Sequence, residues 1–141
     1  MFKRILLAYD GSNGARKGLE AGIELAKLHQ GELVALAVQE QPPGLAGITD
    51  KKVRKEKASG YQHCEQLLEE AQKRAQEAGV ELKTEIRMGH PAKTIVEVAT
   101  EGRFDTVLVG HIGFSQVFRS LLGTTAEKVI RHVPCSVLIV R

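Results

Sequence analysis

The sequence predicts an α/β fold: a single open, parallel, five-stranded sheet, doubly wound, with helices on both faces. Three observations predict it. Five short apolar runs alternate with four stretches whose apolar residues recur at the helical period, giving the order βαβαβαβαβ. Each of the first three helical stretches ends at a glycine and is followed by a strand, as right-handed crossovers between parallel strands require. The fourth strand then breaks into a glycine-bearing loop that leads to a helix start, at Asp105–Thr125. That is where an open parallel sheet usually holds a ligand. There is no internal repeat and no low-complexity tract, so residues 1–141 read as one domain.

Residues 3–9 (KRILLAY) form an apolar run after two cations, suited to a strand buried on both faces. The run ends at Asp10-Gly11-Ser12, and Ser12 is placed to cap the next helix. That helix is expected to reach about Gln30, with Ala15, Leu19, Gly22, Ile23 and Ala26 on its apolar face and Gly31 as its C-cap. Residues 32–38 are the second strand. Gln39 to Asp50, with Pro42-Pro43-Gly44 and Gly47, is a loop, and the 39–60 segment is a candidate flap over the sheet. A long helix is expected from about Lys51, with Tyr61, Cys64, Leu67, Leu68, Ala71, Ala75 and Ala78 making its apolar pattern and Gly79 at its end.

The third strand, Val80 to Met88, alternates. Val80, Leu82, Thr84, Ile86 and Met88 face one way, and Glu81, Lys83, Glu85 and Arg87 the other, as suits a sheet edge. Gly89-His90-Pro91 turns into the third helix, with Pro91 at its first position and Gly102 at its end. Thr106 to Val109 is the fourth strand. The fourth helix carries Ala126, Val129, Ile130 and Val133, and Pro134 stops it. Cys135 to Val140 is the last strand. It carries no charge before Arg141, so as an edge it would be unprotected, and it predicts a homodimer through residues 136–141.

The loop after the fourth strand has the spacing Gly-x2-Gly-x9-Gly-Thr, made by Gly110, Gly113, Gly123 and Thr124. Glycines let backbone N–H groups approach an anion, and a helix N-terminus attracts negative charge. The same residues also suit a surface loop with Thr124 or Thr125 as a plain N-cap. His111 and Arg119 are candidate phosphate contacts within it; a loop histidine or arginine equally often faces water.

Composition excludes other classes. With 43% hydrophobic residues and no tryptophan, the chain builds an aliphatic core. No apolar run approaches a bilayer span, and the first residues read as a strand, not a leader, so no membrane partner is expected. Cys64 and Cys135 have no metal or redox spacing and read as buried thiols in a reducing cytoplasm. The formal charge is a mild +3. Lys51, Lys52, Arg54, Lys55 and Lys57 form a basic cluster that reads as the solvated start of a helix. Four Phe and two Tyr are spread along the chain, so no stacking platform supports a nucleic-acid partner.

These residues together resemble the universal stress protein family over essentially the whole chain. The resemblance rests on the opening ILLAYDGS, the Gly89-His90-Pro91-Ala92 turn, DTVLVG, the Gly-x2-Gly-x9-Gly-Thr loop and AEKVIRHVPCSVLIV. The glycine spacing is similar to that of the family's ATP-binding branch. The resemblance implies a Rossmann-like, adenine nucleotide alpha hydrolase-like sheet of order 3-2-1-4-5, a dimer through the last strand, and ATP where the first and fourth strands diverge.

It implies residue roles as well. Ala8 lies under the nucleotide, and Asp10 stands by the ribose and phosphates, where it is a candidate Mg²⁺ ligand. Val38 reads adenine through its backbone. Val109, Gly110 and Gly113 wrap ribose and phosphates, and Gly123, Thr124 and Thr125 hold the phosphates. Taken without the resemblance, Asp10 suits a turn aspartate bonded to the N–H of Ser12 or Asn13. Two positions depart from the family pattern: His90 stands where an acidic helix cap is common, and Thr125 where a small apolar residue is.

There is no Gly-Lys-Ser/Thr, so the loop is not that of a P-loop NTPase, and no nucleophile–base order is evident. The leading reading is a dimeric, ATP-binding regulatory or stress-response module with little turnover. The alternatives are a slow Mg-dependent ATPase, using Asp10 with His111 or Arg119, and a nucleotide-free dimeric interaction protein.

Overall fold

A computed structural model describes residues 1–40, 50–111 and 122–141, with the side chains of 50–53 and 56 outside that description. The elements follow the expected order: β1 (Arg4–Ala8), α1 (Asn13–His29), β2 (Glu32–Gln39), α2 (Asp50–Glu77), β3 (Leu82–Met88), α3 (Pro91–Glu101), β4 (Thr106–Gly110), α4 (Thr124–His132) and β5 (Ser136–Val140). The five strands form one sheet of order β3-β2-β1-β4-β5, and every pairing is parallel. Ile5 stands beside Leu33 on one side and Thr106 on the other.

The side-chain period of two divides the core into two layers. Ile5, Leu7, Leu33, Ala35 and Leu108 pack with Leu19 and Ile23 of α1 and Leu68 and Ala71 of α2. Leu6, Val34, Leu36, Val107 and Val109 pack with Ile95 and Val98 of α3 and Ala126 and Val129 of α4. Ile5, Leu6 and Leu7 are fully buried, which is why the central strand reads as an unbroken apolar run. Both edges lie where the sequence puts them. β3 carries Glu85 and Arg87, which pair with each other, and β5 is the opposite edge. No helix among the described residues is long and apolar enough to cross a membrane.

The helix ends show where sequence signals mislead. Ser12 caps α1 as expected, accepting from the Ala15 N–H at 3.1 Å. The left-handed residue at its other end is Gln30 (φ 51°), not Gly31. Gly31 is there for space, since a Cβ would strike the Phe2 carbonyl oxygen. The end of α3 repeats this: Gly102 is right-handed, Arg103 has φ 51°, and a Cβ at Gly102 would enter the Phe104 ring. Gly79 (φ 81°) is left-handed after α2.

Other expectations are corrected too. β3 starts at Leu82, not Val80, and Thr84 and Met88 are exposed because the inward face of an edge strand is only partly covered. Tyr61 of α2 is exposed, and Ile130 is 45% exposed, so α4 buries only Ala126 and Val129. Cys64 is buried, but Cys135 at the start of the β5 edge is only partly covered.

At the N-terminal edge of the sheet the Asp105 carboxylate accepts three backbone N–H bonds, from Phe2, Lys3 and Arg4, each at 2.9 Å. It also accepts from the Thr106 hydroxyl at 2.8 Å. Burial by itself would push this carboxyl up. The Arg4 N–H, the Thr106 hydroxyl and the Lys3 and Phe2 N–H groups together hold it below its ordinary value. Beside it, Glu32 is gripped by Arg4 and Lys83, so one ionic row crosses β1, β2 and β3.

Candidate functional site

At the opposite edge, where the strands end, a cavity of about 460 Å³ opens across the tops of β1, β2 and β4. Its position follows from topology. The chain leaves β1 towards β2 and returns to β4 on the other side, so the two connections diverge and leave a crevice.

The first wall is apolar. Ala8, Leu36, Val38, Pro91, Ile95 and Val109 line it from β1, β2, α3 and β4. Above this shelf the β1–β2 ladder runs out. Its last register pair is Ala8 with Leu36, and the Tyr9 N–H donates to the Leu36 carbonyl at 2.9 Å. Backbone groups two residues apart in a strand point the same way, so the N–H and C=O of Val38 also face the β1 side. There β1 has already turned away at Gly11 (φ 79°), and no described residue bonds them. Gln39, one residue on, points to β3 and accepts from the Gly89 N–H at 2.9 Å. Val38 therefore presents a donor and an acceptor side by side over an apolar floor.

The second wall is polar. Gly123 is the N-cap of α4 and offers no side-chain bond. Its own N–H is occupied, donating to the His111 carbonyl at 2.9 Å, while its carbonyl accepts the first helical bond, from Glu127 at 3.0 Å. The first N–H groups inside the helix belong to Thr124, Thr125 and Ala126, and all three residues line the cavity. No described residue bonds those N–H groups, so the helix start is open to an anion.

Asp10 stands between the two walls and lines the cavity. One of its oxygens accepts from the Ser12 N–H at 2.9 Å, the turn-aspartate geometry expected without the resemblance. Gly110 lines the cavity as well, but its lack of a side chain serves packing. A Cβ there would lie 2.7 Å from the carbonyl carbon of Gly14, where the start of α1 crosses β4.

Of the expected site residues, the structure thus gathers Ala8, Asp10, Val38, Val109, Gly110, Gly123, Thr124 and Thr125 around one cavity. His111 is not among its lining. Its N–H donates to the Val140 carbonyl at 2.8 Å, pinning the base of the loop to β5. Gly113 and Arg119 lie outside the described residues, as does 41–49 of the candidate flap.

A third wall comes from both ends of the 39–60 candidate flap, whose residues from Asp50 on form the start of α2, and from His63 and Cys64, which the sequence did not offer as site residues. Gly60, His63 and Cys64 of α2 line the cavity together with Gln39 and Glu40. Gly60 was the legible signal. A glycine inside a helix costs about 1 kcal/mol against alanine and marks a close approach, here to the Gln39 amide. Burial pushes the Cys64 thiol up, so it stays protonated. Tyr9, also on the lining, is raised by burial against the opposing hydrogen bond from Arg16.

Comparison with known proteins bears on this geometry. A family model described as the universal stress protein family matches residues 1–141. The universal stress protein YxiE of Bacillus subtilis is 34% identical over 152 residues, covering 100% of both chains. Among solved structures, the universal stress protein UspA from Lactobacillus plantarum superposes with a TM-score of 0.86 at 27% identity, over 99% of this chain and 98% of that one. A universal stress protein in complex with cAMP superposes with a TM-score of 0.75 at 25% identity, over 97% of this chain and 95% of that one.

Proposed function

The chain belongs to the universal stress protein family, and on that premise we propose that it is an adenine-nucleotide-binding member, a dimeric regulatory module that holds ATP with little turnover. One observation carries the reading. The unpaired backbone edge of Val38 over its apolar shelf, and the open N–H groups of Thr124, Thr125 and Ala126, face the same cavity. The first suits the donor–acceptor edge and flat face of adenine. The second suits a phosphate. The cAMP complex of a family member supports the same ligand class.

Asp10 is the carboxylate that would hold a Mg²⁺ ion. Among the described residues no group of three or more ligating side chains gathers, so the ion would share Asp10 with the nucleotide's own phosphates and water. Its chemistry there is to neutralise phosphate charge. Dimerisation through residues 136–141 is supported by the position of β5 at the sheet edge, with Leu138 37% exposed.

The test is to denature freshly purified protein and identify by mass what it releases. Stoichiometric ATP is the expected result. ADP or AMP favours the slow ATPase, in which Asp10→Ala cuts turnover far more than binding. No release, together with no binding of added Mg-ATP, sinks the site and leaves the nucleotide-free interaction protein.

A further inference from the structure

The third wall carries more than shape. α2 is 28 residues long, yet the described residues from Arg54 to His63 include no buried side chain; burial begins at Cys64. From Arg54 to His63 the helix rises by about 15 Å. α2 starts at the strand ends where the cavity opens, so this unpacked stretch stands beside the cavity mouth. Hydrophobic burial does not hold it there.

Two contacts do. The Gln39 side-chain amide donates to the Lys57 carbonyl at 3.1 Å, and Gly60 presses on that same amide. One stripe further down, Leu67 fills the space above Gly11, where a Cβ would lie 2.6 Å from it. Gly60, His63, Cys64 and Leu67 are spaced i, i+3, i+4 and i+7, so they share one helix face. That face runs from the end of β2 to the turn after β1, and His63 sits between the two contacts.

The charge of the lining gives that position meaning. Asp10 and Glu40 bring carboxylates to the cavity. Among the described lining residues there is no lysine or arginine, and His63 is the one side chain able to carry positive charge. A phosphate entering here meets two carboxylates and the N–H groups of α4. Side chains on a helix lean towards its N-terminus, which for α2 is the open end of the cavity.

We propose that His63 is a phosphate-binding residue of this site, carried on the face of α2 that lines the cavity. The proposal rests on the nucleotide reading and adds a residue to it. His63 donates a ring N–H to a non-bridging phosphate oxygen from the side opposite α4, in a lining where Asp10 and Glu40 are carboxylates.

The experiment is calorimetric titration of the full chain and its His63→Gln variant with adenosine and with AMP. His63 is exposed, so the variant keeps the fold. The expected result is that AMP weakens by about five- to twentyfold, in the range of one solvent-accessible charged hydrogen bond, while adenosine stays within about twofold. Equal weakening of both ligands overturns the proposal, because it means a purely structural role. No change in either overturns it too. If the unaltered chain binds neither ligand, the nucleotide reading itself has failed and the proposal falls with it.

Discussion

Replacing Asp105 by alanine tests what holds the start of β1 in the sheet. The carboxylate accepts the Phe2, Lys3 and Arg4 N–H groups at 2.9 Å and the Thr106 hydroxyl at 2.8 Å. A hydrogen bond to a charged group contributes about 1.5–3 kcal/mol when dry. The Lys3 bond is exposed and the Phe2 and Arg4 bonds are only partly buried, so water replaces much of what is lost. The expected cost is therefore about 2–4 kcal/mol, well short of the simple sum. For a domain of 141 residues, an unfolding entropy of about 2 cal/mol/K per residue turns that into a fall in Tm of about 7–14 °C.

The assay is thermal unfolding followed by circular dichroism between pH 3 and pH 8. The Asp105 carboxyl is held below its ordinary value in the fold. Its contribution is present above the unfolded carboxyl range, near pH 4, and is lost as pH falls through the folded value. The gap between parent and Asp105→Ala thus stays constant from pH 5 to 8 and narrows in acid. Asp105→Asn, which keeps one acceptor oxygen without the charge, falls between the two. An alanine variant that melts within about 2 °C of the parent at pH 7 would refute the reasoning. So would a gap that persists unchanged at pH 3.

Two further substitutions probe the site and the edge. Gly110→Ala places a Cβ 2.7 Å from the Gly14 backbone; it lowers the urea midpoint by the equivalent of about 1–3 kcal/mol, the usual cost of forcing apart packed backbone. Leu138→Lys puts a charge on the exposed position of β5; gel filtration is expected to show a monomer where the parent elutes as a dimer, with an unchanged circular dichroism spectrum.

The centre and the edges of the sheet were legible because those strands carry their own signatures, whereas the full order came with the family resemblance. Continuous burial in KRILLAY and DTVLVG marks the central strands, and alternating charge in ELKTEIRM marks an edge. The polar wall was legible for a similar reason, since a glycine before Thr-Thr at a helix start has few structural meanings. Other parts left no trace in residue type. Val38 presents backbone groups to the cavity, so its residue type is silent; the family resemblance named it, and the register of β2 against β1 shows why those groups are open. His63 lies far along the chain from any motif, and only the packing of Gly60 on Gln39 brings it to the cavity. Gly31 misled because glycine signals both a left-handed turn and a lack of room, and there lack of room is the cause, while Gly102 does end its helix as expected.

The ionic row of Asp105, Arg4, Glu32 and Lys83 lies at one end of the strands and the cavity at the other. From Arg4 to Ala8 the strand rises by about 13 Å. Substitutions separated by more than about 10 Å, with no shared partner, add in free energy. Drift in thermal tolerance and drift in ligand preference are therefore independent variables in this molecule. A lineage moving to a hotter niche can rework Glu32 or Lys83 while its ligand chemistry stays fixed, and a lineage changing ligands can alter the cavity rim without losing the anchor of its first strand.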